Sequence, residues 1–121
     1  MRYFLDSCAL IEIAQGNPKY DKYNDGDCVT LKDNLAELFY FLLRKYGDKT
    51  ANDVLETFSR IAAELPLDII APAMQFRHKN AKTRFSYIDC LGYVFALQNK
   101  RIFLTGDRAF QGMDNVEVVR A

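Results

Sequence analysis

Short apolar runs alternate along this chain with longer stretches in which apolar residues recur at helical spacing. Arg2 to Leu5 reads as a short strand ending at Asp6, and Ala9 to Gln15 as a short helix stopped by Gly16, Asn17 and Pro18. The segment KYDKYNDGD has no apolar period and reads as loop or frayed helix, after which Cys28 to Thr30 adds an extended stretch. Lys32 to Tyr46 forms a long helix with apolar residues on nearly every face, closed by Arg44, Lys45 and a Gly47 suited to the C′ position. Thr50 to Leu65 predicts a second helix with Val54, Leu55, Phe58, Ile61 and Ala62 on one stripe, halted before Pro66. Leu67 to Ile70 is either a short strand or an extended linker, and Pro72 suits the first turn of a helix running toward Lys82. Ser86 can cap a helix from Tyr87 to Gln98 that turns Ile88, Leu91, Phe95 and Ala96 toward the core. Arg101 to Leu104 follows as a buried strand, Arg108 to Phe110 as one helical turn, and Val116 to Val119 as a last edge strand.

Strands separated by helices predict a parallel sheet covered on both faces: an α/β three-layer sandwich with about four or five strands. The chain has 121 residues, half of them apolar, which suits one domain over residues 1–121 and is too little for two cores. Open parallel sheets bind ligands beyond the carboxyl ends of their strands. Asp6 and Asp107 occupy that position, and helices carrying Glu37 and Asp89 need only aim their first turns there.

These four carboxylates each interrupt an apolar stretch: FLDSCALI, NLAELFYFLL, SYIDCLGYVFA and FLTGDRAF. An unpaired carboxylate in apolar surroundings costs several kcal/mol, so it normally has a cation, a proton or several donors beside it. One or two hard divalent cations such as Mg²⁺, which take oxygen ligands and keep some waters, would satisfy all four. The pattern points to a metal-dependent hydrolase. Taken singly, each acid has a plainer role. Glu37 could snorkel to water from its helix, and Ser86 and Asp89 fit a capping box. Asp6 and Asp107 could be ordinary turn residues after strands.

Composition narrows the chemistry further. His78 is the sole histidine, so a histidine triad, a His-rich zinc site or a catalytic histidine pair has too few residues to work with. Cys8, Cys28 and Cys90 are odd in number and lack CxxC spacing, which argues against disulfides and structural zinc and predicts buried small hydrophobes. No apolar run approaches the roughly 18 to 20 residues of a membrane span, and no secretory signal is visible, so a cytoplasmic protein that does not enter membranes is expected. Sixteen basic and sixteen acidic residues cancel, so any nucleic-acid binding must be local. The best local candidate is RHKNAKTR, which holds Arg77, His78, Lys79, Lys82 and Arg84 and no acid. A solvated basic helix end reads equally well.

The order of the motifs FLDSCALI, NLAELFYFLLRKYG, SYIDCLGYVFAL and LTGDRAFQGMDNVEVV resembles that of the PIN-domain ribonucleases, and within them the VapC-type toxins of toxin–antitoxin pairs. The resemblance runs over nearly the whole length, and it places the family's acids on Asp6, Glu37, Asp89 and Asp107. It implies a sandwich around a parallel sheet, Mg²⁺ or Mn²⁺ dependence, and cleavage of single-stranded or looped RNA. Cys8 departs from the Ser or Asn frequent at its place, and Gly106 from Asn or Asp.

On that reading Asp6, Glu37 and Asp89 hold a divalent ion, and Asp107 binds it through water or helps to hold a second one. Ser7, Asn34 and Thr105 lie beside the acids and could orient them, although local capping explains them as well. Lys82, Arg84 and Arg108 flank the acids and are candidates for phosphate contacts. Tyr87 and Phe110 could stack on bases, although aromatics near helix starts more often pack in the core. A homodimer is expected, because the stripe from Val54 to Ala62 and the Glu37 helix carry more apolar surface than one small sheet can cover. A cognate antitoxin would plug the acid rim with a basic residue or an amphipathic helix. Three other readings stand beside the toxin. A haloacid dehalogenase-type phosphatase would want a second Asp where Cys8 stands, an idle PIN-fold binding module would tolerate loss of an acid, and an RNA-processing nuclease outside any toxin pair fits the same residues.

Overall fold

The computed structural model describes residues 1–23 and 26–120. Asn24 and Asp25, within the segment expected as loop or frayed helix, lie outside the described residues. Pro18–Tyr23, which overlap the start of that segment, form a 3-10 helix. Five parallel strands lie in the order β3-β2-β1-β4-β5: β1 (Arg2–Leu5), β2 (Asp27–Leu31), β3 (Ala62–Ala63), β4 (Ile102–Thr105) and β5 (Val116–Val118). β1 is central, with Phe4 opposite Val29 on one side and Phe103 on the other. Helices α1 (Ser7–Ala14), α2 (Lys32–Tyr46), α3 (Asp48–Phe58), α4 (Ile70–Lys79) and α5 (Tyr87–Gln98) fill the crossovers.

Alternation along the strands separates two cores, because successive side chains leave opposite faces. Phe4 and Phe103 face α4 and α5, packing with Ala73, Tyr93 and Phe95. Leu5 and Leu104 face α1, α2 and α3, packing with Leu10, Leu38 and Leu42. The expected three-layer sandwich is the structure observed. α5 is buried from Cys90 through Ala96. Burial of each large side chain there contributes roughly 1.5–3 kcal/mol. Close approach of α5 to β1 requires Gly92, where an added Cβ would stand 2.8 Å from the Phe4 ring.

The local predictions held where local interactions dominate, as for α2 and for the capping box of α5. The helix expected over Thr50 to Leu65 ends at Phe58. A 3-10 turn follows, and Ala62–Ala63 pair with Thr30 and Leu31 as β3. Sheet hydrogen bonds outweigh helical spacing there. Leu67–Ile69 is a 3-10 turn rather than a strand or an extended linker. α4 stops at Lys79 instead of reaching Lys82, with the Asn80 side chain donating back to the Phe76 carbonyl. Cys8, expected to be buried, is exposed, and Cys28 is half-buried; Cys90 is buried as expected.

Candidate active site at the carboxyl edge of the sheet

β1 and β4 end side by side, and the Asp6 amide extends their ladder by donating to the Leu104 carbonyl at 3.1 Å. The Asp6 side chain then caps α1, its Oδ1 accepting from the Ala9 amide at 2.9 Å. Its Oδ2 accepts from the Thr105 hydroxyl at 2.5 Å, and Asp6 and Thr105 are both buried. Thr105 Oγ1 in turn accepts the Asp107 amide at 3.0 Å, and Asp107 caps the following turn by accepting from the Ala109 amide at 2.9 Å.

A second chain of hydrogen bonds begins one residue after Asp6. Ser7 Oγ donates to Glu37 Oε1 at 2.5 Å, and Asn34 Nδ2 donates to Ser7 Oγ at 3.0 Å. Asn34 and Glu37 stand three apart on α2 and so share a face. Asn34 is buried, and its Oδ1 has no hydrogen-bond partner among the described residues. Ser7, Asn34 and Thr105 therefore touch the acids or one another.

Asp89 takes up the capping role foreseen for it. It accepts the Ser86 amide at 2.9 Å while its own amide donates to Ser86 Oγ at 3.0 Å. It nevertheless shares the rim with the other acids. Burial pushes the Asp6 carboxyl up to about 7, against the Thr105 and Ala9 donors, and the charges of Asp89 and Asp107 raise it further. Although Cys8 is exposed, its thiol is pushed up to about 12, first by partial desolvation against the rim and then by the fields of Asp6, Asp107, Asp89 and Glu37. All four acids thus act on one side chain in the first turn of α1.

None of the four forms an ion pair among the described residues. The acids ring the corner without closing on its centre: among the described residues, no three His, Cys, Asp or Glu side chains gather closely enough to enclose an ion directly. Each acid already accepts from the chain, and Glu37, Asp89 and Asp107 each do so through one oxygen only. An all-oxygen set this open fits a hard divalent cation that retains several of its waters.

The basic residues lie on both flanks. Lys82, Arg84 and Arg108 are exposed. Lys82 and Arg84 lie in the turn that delivers α5, where Arg84 adopts a left-handed conformation, and Arg108 follows Asp107. Phe110 is fully buried against Phe85 and Phe103, so it is unavailable for stacking, whereas Tyr87 is exposed. Arg77 contributes a contact not foreseen individually: its guanidinium lies over the Tyr87 ring, 4.4 Å from the centroid. Gly106 leaves room for Tyr20, whose hydroxyl would stand 3.2 Å from an added Cβ.

Comparison with known proteins bears on this corner. The PIN domain family profile matches residues 3–116. A toxin–antitoxin complex from Klebsiella pneumoniae is similar at 14% identity with a TM-score of 0.77, covering 98% of this chain and 99% of that one. The Mycobacterium tuberculosis VapC20 structure, described as a sarcin–ricin loop cleaving toxin, is similar at 15% identity and a TM-score of 0.78, covering 96% and 98%. A Pyrobaculum aerophilum structure is similar at 16% identity and 0.69, covering 98% and 91%. No curated protein sequence matches. At such identities the structural likeness concerns the fold.

Proposed function

Because this chain belongs to the PIN domain family, we propose that it is a metal-dependent endoribonuclease, the toxin of a toxin–antitoxin pair, acting as one domain over residues 1–121. The observation that carries this reading is the meeting of Asp6, Glu37, Asp89 and Asp107 around one corner, with Asp6 buried and without a cationic partner among the described residues. Asp6, Glu37 and Asp89 would hold Mg²⁺ or Mn²⁺ partly through waters that the ion retains, since no three of the acids close on one point among the described residues, and Asp107 would act through water or help to hold a second ion. Such an ion, when bound, supplies an acidified water and neutralises charge on the phosphodiester.

The residues of the chain do the positioning. Thr105 keeps its proton toward Asp6 and fixes that carboxylate, while Asn34 orients Ser7 and Ser7 holds Glu37. Lys82, Arg84 and Arg108 take backbone phosphates of single-stranded RNA on either side of the acids. The Klebsiella complex and the toxin VapC20 support the toxin reading over an RNA-processing nuclease outside any pair. A cognate antitoxin would block the acid rim. Among the described residues no helix is long and apolar enough to cross a membrane.

A homodimer completes the assignment. Val54, Leu55, Phe58, Ile61 and Ala62 are half-buried against α2 and the sheet, and a groove of about 610 Å³ remains between α2 and α3, lined by Leu35, Ala36, Phe39 and Leu55. Light scattering at micromolar concentration tests the dimer, and a monomer overturns it.

The direct test of function incubates the purified chain with single-stranded RNA in Mg²⁺, in Mn²⁺ and in chelator. Cleavage restricted to the metal-containing reactions is expected, and it should disappear in Asp6→Asn and Asp89→Asn. Cleavage that persists in chelator, or full activity in both variants, overturns the reading. Growth arrest on expression, relieved by a small upstream reading frame, separates the toxin from a processing nuclease.

A further inference from the structure

Tyr87 is the first residue of α5, two positions before Asp89, and its side chain is 62% exposed. So exposed a ring adds little to the core, and the capping of α5 is carried by Ser86 and Asp89. Its orientation is nevertheless fixed. The Arg77 guanidinium lies over the ring at 4.4 Å, and Arg77 Nε is itself tethered to the Phe85 carbonyl at 3.0 Å. One ring face is thus backed by a positive charge held in place from α4, and the side chain's exposure leaves the rest of the ring open to solvent. A stacked aromatic and arginine beside exposed cations is the arrangement that takes unpaired bases, since every base offers a π-face and the arginine adds a cation–π contribution.

We propose that Tyr87, backed by Arg77, is a base-stacking platform that seats one unpaired nucleobase next to the phosphodiester presented to the acids. The proposal rests on the nuclease reading and deepens it: the substrate class becomes RNA with an unstacked base beside the cleaved bond. Duplex RNA, whose bases stack on one another, cannot engage the ring. Tyr87 is a specificity residue here, acting on the base and leaving the reacting phosphate to the carboxylates.

The experiment uses the full chain with three variants, Tyr87→Phe, Tyr87→Leu and Arg77→Gln, each checked for an unchanged circular dichroism spectrum. Two single-stranded ribose–phosphate probes of equal length serve as ligands, an oligoadenylate carrying 2-aminopurine and an abasic oligomer. Fluorescence quenching is read by stopped flow, before turnover. The wild type and Tyr87→Phe should quench 2-aminopurine. Tyr87→Leu should lose the quench and bind oligoadenylate roughly fivefold to hundredfold more weakly, with its affinity for the abasic oligomer unchanged. Arg77→Gln should weaken both probes. Equal binding and quenching by the wild type and Tyr87→Leu overturns the platform while leaving the nuclease reading intact. An equal loss on both probes for Tyr87→Leu also overturns it, because the ring would then serve only to hold Arg77. Failure of the wild type to bind either probe overturns both readings.

Discussion

Thr105 donates its hydroxyl hydrogen to Asp6 Oδ2 across 2.5 Å, joining the carboxyl ends of adjacent strands β4 and β1. The same Thr105 oxygen accepts the Asp107 amide, so one hydroxyl sets the positions of two acids. Thr105→Val keeps the shape and the strand preference but removes the donor. Outer donors to ligating carboxylates are worth about 10–100-fold in metal affinity or activity, so Mn²⁺ affinity by calorimetry and the rate of RNA cleavage should both fall by that order. Unchanged values in both would show that Thr105 serves packing alone.

Asp6 imposes a pH dependence on the metal-free chain. Its carboxyl is pushed from the ordinary 3.8 to about 7, chiefly by burial, so the folded state holds this proton more tightly than the unfolded chain does. The resulting stabilisation is complete below about pH 3.8 and is lost as pH rises through about 7. It amounts to at most about 4 kcal/mol. In chelator, urea unfolding should therefore show stability falling from pH 5 to pH 8, with Asp6→Asn flattening the decline and being the more stable protein at pH 8. Parallel pH profiles for the two proteins would contradict this.

At Gly92, α5 lies against the Phe4 ring too closely for a methyl group, which would stand 2.8 Å from it. Gly92→Ala should destabilise the fold by roughly 1–3 kcal/mol, the usual cost of overpacking. It should also displace the start of α5, lowering cleavage beyond what the loss of folded protein explains. Denaturant midpoints measured beside initial rates separate the two effects.

The flanking cations predict a salt dependence. Each phosphate contact removed from a single-stranded complex lowers the slope of log affinity against log salt by about 0.7. Lys82→Ala with Arg84→Ala should flatten that slope accordingly and weaken binding regardless of sequence. An unchanged slope for the pair would remove these residues from the RNA path.

Much of this architecture was legible because it is encoded locally. The α2 periodicity, the Ser86–Asp89 capping box and the apolar β1 and β4 runs each lie within a few neighbouring residues. The acids stood out for the same reason, since a carboxylate amid leucine and phenylalanine is anomalous without any knowledge of the fold. What stayed hidden depends on distant partners. Ala62–Ala63 look helical until Thr30 and Leu31 offer them hydrogen bonds. Arg77 reads as one cation in a basic run, and its seat on Tyr87 exists only once Arg84 turns the chain back. Cys8 resembled a small core residue, yet it faces outward in the first turn of α1.

The strand order has a consequence for synthesis. The middle strand of the sheet is made first, and Tyr3, Phe4 and Leu5 must wait for Ile102, Phe103 and Leu104 to cover one flank. A nascent chain still tethered to its ribosome has Asp6 and Glu37 but lacks the hydroxyl and the final acid that finish the corner. The corner therefore closes only after Asp6 and Thr105, 99 positions apart in the chain, have come together.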